Sequence, residues 1–80
     1  MIVEERPELT DVLLGLYCDW RTRCEDVRTN YERFSSAPRA DRALAFASFE
    51  AALDREESAA EAYAAQIRRM AIAERPRMRR

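Results

Sequence analysis

The side chains with chemistry to offer are few, and the densest group is acidic. Glu50, Asp54, Glu57 and Glu61 recur at steps of 4, 3 and 4. On a helix this spacing lines them up along one face, with neighbours about 5–6 Å apart. Such a row suits two tasks, holding a metal through carboxylates alone or meeting a basic surface. Helical di-metal sites combine carboxylates with inward-facing His, and this chain has no His. The metal reading is therefore set aside, and the row is expected to be a partner-binding ridge.

The same absence removes the usual base for a Ser, Thr or Cys nucleophile. There is no Lys to form a Schiff base and a single glycine, Gly15, so no glycine-rich phosphate loop. Glu56, beside the ridge, is a weak candidate for a general acid in an apolar setting. Cys18 and Cys24 are six apart. On one helix that separates them by about 9 Å along the axis, beyond the ~7 Å a disulfide tolerates. Two thiols without His also fall short of a structural zinc site. No catalytic, cofactor-binding or metal residues are expected, and the chain is read as a non-enzyme.

The second charged feature is basic. All 14 cationic residues are Arg, and the net charge is −1. Residues 1–66 hold 8 Arg against 14 Asp and Glu, whereas residues 67–80 hold 6 Arg against one Glu. Arg68, Arg69, Arg75, Arg77, Arg79 and Arg80 therefore form a basic tail on an acidic body, a candidate contact for nucleic-acid phosphates or an acidic partner. No aromatic residue interleaves with them to stack on bases.

These features need helices to position them. From about Pro7 to Phe34 the apolar residues Leu9, Leu13, Leu16, Trp20, Cys24, Val27, Tyr31 and Phe34 recur at steps of three and four, a helical period. Pro7 suits a first turn, where its missing N–H costs nothing. Ser35-Ser36-Ala37-Pro38 is the clearest interior turn signal. A second helix is expected from about Arg39 to Arg75, with Phe46, Phe49, Leu53, Ala60, Tyr63, Ile67 and Met70 as its stripe and Glu56 in the slot between Leu53 and Ala60. Its many Ala residues favour helix. A break at residues 54–58 would give three helices, since Ser58 with Glu61 matches a capping box.

The expected fold is all-α, a single domain over residues 1–80. A long antiparallel hairpin is formed by helices at about 7–34 and 39–75, with a turn at 35–38 and a basic tail at 76–80. Residues near 47 should face residues near 27, and Leu53 should meet Trp20. Ile2 and Val3 should cover Ile67 and Met70. Leu13, Leu16, Trp20, Val27, Tyr31, Phe46, Phe49, Leu53, Tyr63 and Ile67 are the expected core or dimer seam. Two helices bury only one stripe each, so a homodimer forming a four-helix bundle is expected.

The longest apolar run, Val12 to Leu16, is far short of the ~20 residues of a membrane helix, and no secretory signal is read in residues 1–8. The expected compartment is cytoplasmic, with no membrane association. The expected role is to bind and occlude a macromolecular partner, most simply a protein. Size and charge resemble those of phage and mobile-element inhibitors of bacterial defence complexes, the anti-CRISPR proteins among them. The competing expectations are a nucleic-acid-associated regulator using the Arg tail and a structural oligomer subunit.

Overall fold

The computed structural model describes residues 7–73, which form two long helices, α1 (Pro7–Ser36) and α2 (Arg42–Ala73), joined by a tight connection. They pack antiparallel as an all-α hairpin. α2 runs unbroken through residues 54–58, so the three-helix alternative does not occur. No Gly or Pro lies there to interrupt it, and Ala residues on both sides sustain the helix.

The connection is built by local hydrogen bonds. The Ser36 hydroxyl donates to the Glu32 carbonyl at 2.9 Å, and the Ala37 N–H donates to the Phe34 carbonyl at 3.3 Å. Pro38 is extended, with φ −61° and ψ 156°, and leads into a 3-10 turn at Arg39–Asp41. The Asp41 N–H closes that turn on the Pro38 carbonyl at 2.8 Å. The Arg42 guanidinium lies over the Phe34 ring, 5.2 Å from its centroid, and donates to the Ala37 carbonyl at 3.4 Å. One side chain thus ties both helix ends to the turn.

The seam between the helices alternates bulk and thinness. Next to the turn, Phe34 stacks on Phe49 (6.3 Å between centroids, 3° between planes) and tilts against Phe46 at 5.3 Å, while Tyr31 meets Phe49 at 5.5 Å. In the middle the backbones close in on Ala52 and Ala59, which are 1% and 7% exposed. Beyond them Trp20 stacks on Tyr63 at 5.8 Å, and Tyr17 packs against both. At the open end the amide of Gln66 donates to the Leu9 carbonyl at 3.3 Å.

Two expectations are corrected by this packing. The first is the rotation of α2. Phe49, Tyr63 and Met70 do lie on the seam side, but Ala52, Ala59 and Gln66 are buried where Leu53, Ala60 and Ile67 were expected. Phe46, Leu53 and Ile67 stand on the flank, 42%, 40% and 44% exposed. Large residues meet only at the two aromatic clusters, Phe34 with Phe46 and Phe49 and Trp20 with Tyr63, and the buried Ala52 and Ala59 lie between them. The second correction is register. Trp20 meets Tyr63, not Leu53, because the connection extends to Asp41 and moves the hairpin's midpoint toward α2. On α1, Tyr31 is more than half exposed and covers only the edge of the seam. The expected cover by Ile2 and Val3 lies outside the described residues.

Candidate protein-interaction face

Two surfaces flank the seam. Each is traced by the residues just beside the buried positions. On one side α1 presents Asp19 and Asp26, and α2 presents Arg55 and Arg69. Here Arg23, half-buried in the seam, bridges Asp19 at 3.5 Å and Asp26 at 3.4 Å. The small Ala59 and Ala62 leave an open groove of about 410 Å³ there, bordered by Asp19, Arg23, Asp54, Arg55 and Ser58. On this flank Arg23 is satisfied by its two aspartates. Elsewhere on α1, Arg28 pairs with Glu25 at 3.9 Å.

The opposite flank is apolar. Tyr17 and Tyr31 from α1 and Phe46, Leu53 and Ile67 from α2 are exposed along it. A second groove of about 320 Å³ opens at its far end, lined by Thr10, Leu13, Leu14, Tyr17 and Tyr63, almost without polar surface. Single exposed apolar residues are ordinary, but a contiguous apolar strip marks an interaction surface.

The acidic ridge borders this apolar flank and the outer face of α2. Glu50, Asp54, Glu57 and Glu61 are all exposed, and among the described residues none of them forms an ion pair or a hydrogen bond to another side chain. Asp54 lies toward the opposite flank, where it lines the same groove as Arg23 and Arg55, without an ion pair to either among the described residues. The four carboxylates extend over about 16 Å of helix.

Glu56, the candidate acid, is occupied structurally. It is half-buried in the seam, and its carboxylate accepts the Trp20 indole N–H at 2.8 Å across the two helices. A charged acceptor shortens and strengthens such a bond. Sequence reasoning placed Glu56 in the seam but did not find its partner. Gln66 was missed altogether. It is 2% exposed, and besides reaching Leu9 it accepts two hydrogen bonds from the Arg69 guanidinium, at 3.2 and 3.0 Å. Its signal was weak: an amide at a heptad step after Ala52 and Ala59.

Of the basic tail, only Arg68 and Arg69 fall among the described residues. Arg68 is exposed, and Arg69 is engaged by Gln66. Arg75, Arg77, Arg79 and Arg80 lie outside the described residues. Cys18 is exposed and Cys24 half-buried, and neither is in a disulfide. Among the described residues no group of three or more metal-ligating side chains is gathered, and no helix is long and apolar enough to cross a membrane. No protein-family model, curated protein or solved structure matches this chain.

Proposed function

We propose that this chain is a non-enzymatic interaction protein that binds and covers a basic groove on a macromolecular partner. One observation carries the reading: four exposed carboxylates line one face of α2, and among the described residues no cation is paired to them. Duplex DNA presents a charge every ~1.7 Å of its axis, and a stiff helix with aligned carboxylates offers a sparser version of the same field. A protein groove built for a phosphate backbone is the kind of surface it complements. An inhibitor of a bacterial defence complex, of the sort phages and mobile elements deploy, is a role that fits this chemistry.

The test is capture from nuclease-treated lysate of phage-challenged bacteria, identified by mass spectrometry. Asp54→Arg with Glu61→Arg serves as the control, because both residues are exposed and neither makes an ion pair or side-chain hydrogen bond among the described residues. The expected result is a stoichiometric protein partner held by the native chain and released by the double variant, with far-UV circular dichroism unchanged. Recovery that vanishes with nuclease would shift the role to the arginine tail. Equal capture by the double variant would refute the ridge.

A further inference from the structure

The apolar flank is a surface distinct from the outer face of α2. Seven-residue steps place Tyr17, Cys24 and Tyr31 along one edge of α1 and Phe46, Leu53 and Ile67 along the adjoining edge of α2. The two described helices lie side by side in a single layer, whereas a stable domain closes its core between two layers. The chain's accessible surface, 5987 Å², exceeds by about 1000 Å² the value for a compact monomer of its mass. A standard interface covers about 800 Å² on each partner, so the excess is of the size that one further copy removes.

We propose that a second copy of this chain covers the flank, related by a two-fold axis parallel to the helices. α1 of each copy then packs antiparallel against α2 of the other in a four-helix bundle. The charges bordering the flank select this arrangement. Arg21 and Arg28 edge it on α1, and Glu50 and Glu57 edge it on α2. The pairs Tyr17–Tyr63, Tyr31–Phe49 and Phe34–Phe46 fix which residues stand level with each other. By that register Arg21 is level with Ala59 and Arg28 with Ala52, each two residues, or about 3 Å, from Glu57 and Glu50.

An axis parallel to the helices preserves those levels between copies. It sets Arg21 beside Glu57 of the second copy and Arg28 beside its Glu50. Arg21 has no ion pair among the described residues, and Arg28 has only its 3.9 Å contact with Glu25. An axis perpendicular to the helices and lying along the flank would instead place α2 on α2, glutamate against glutamate, which costs affinity. In the parallel arrangement Ile67 of the second copy stands level with Leu13. It enters the open apolar groove between Leu13, Leu14 and Tyr17.

The dimer takes Glu50 and Glu57 from the acidic ridge and leaves Asp54 and Glu61, which point away from the flank, for the proposed partner, so the two readings are tested by different variants. The experiment is size-exclusion chromatography with light scattering on the full chain over a concentration series. Thiol-reagent kinetics at Cys24 accompany it, with exposed Cys18 as the internal control. The expected species is twice 9.3 kDa, with Cys24 slowed about tenfold or more relative to Cys18 as the dimer forms. Glu57→Arg weakens the dimer by about tenfold, because the two-fold repeats each unfavourable contact. Adding Arg21→Glu restores it. Circular dichroism checks helicity in each variant, and the native Cys24 kinetics decide the matter even where a variant fails to fold. A monomer at every concentration, a tighter Glu57→Arg dimer, or Cys24 reacting alike in monomer and dimer would each overturn the proposal.

Discussion

Enlarging Ala52 tests the seam directly. This residue is 1% exposed and sits where the two backbones approach between the aromatic clusters. Ala52→Leu inserts a branched side chain into that gap. Overpacking of this kind costs about 1–3 kcal/mol, because neighbours must leave their rotamers or the helices must separate. For a chain of this length each kcal/mol moves the melting temperature by about 4–8 °C, so the variant should melt roughly 5–20 °C lower. The matched control is Ala51→Leu, one residue earlier and exposed. The same enlargement there should change stability by no more than about 0.5 kcal/mol. Thermal melts followed by far-UV circular dichroism at one fixed protein concentration provide the comparison, since any self-association makes the midpoint concentration-dependent. If Ala52→Leu melts with Ala51→Leu, or above it, α2 does not turn Ala52 inward. The seam assigned above would then be wrong, and a helix rotated toward Leu53 would be the better account.

Two further substitutions probe the polar contacts in the seam. Glu56→Gln keeps an acceptor for the Trp20 indole and should cost under about 1 kcal/mol, whereas Glu56→Ala strands that donor and should cost about 1–2 kcal/mol. Trp20 is the only tryptophan, so urea unfolding followed by its fluorescence reads both variants. Gln66→Ala removes the link to the Leu9 carbonyl and the anchor for Arg69. It should speed amide exchange around residues 9–13 and 66–70 well before it affects residues 30–50.

The hairpin was legible because α1 announces itself. Leu9 through Phe34 keep a helical period, and Ser35-Ser36-Ala37-Pro38 interrupts it. α2 hid its orientation. Ala occupies so many positions that hydropathy follows the few large residues, Phe46, Leu53 and Ile67, which stand on the flank. The buried row of Ala52, Ala59 and Gln66 runs between and beyond the large pairs Phe34–Phe49 and Trp20–Tyr63, and how two helices fit together is invisible in either one read alone. Register failed for a related reason. Arg39–Asp41 reads as helix, and its 3-10 turn shifts every later pairing. The ridge, by contrast, needed only spacing on one helix, and Glu50, Asp54, Glu57 and Glu61 do share an exposed face.

The order of contacts along the hairpin bears on how the chain reaches this structure. Phe34 and Phe46 are near neighbours in sequence and meet beside the turn, whereas Gln66 must find Leu9 across 57 residues. Closing a short loop costs less entropy than closing a long one. The cluster around Arg42 and Phe34 is thus where assembly starts, and each pairing brings the next within reach. Trp20 and Tyr63 follow, and the Leu9–Gln66 link closes last. In reverse, the open end separates first, so the molecule behaves as a zipper whose slider rests at Leu9 and whose stop is the aromatic knot at the turn.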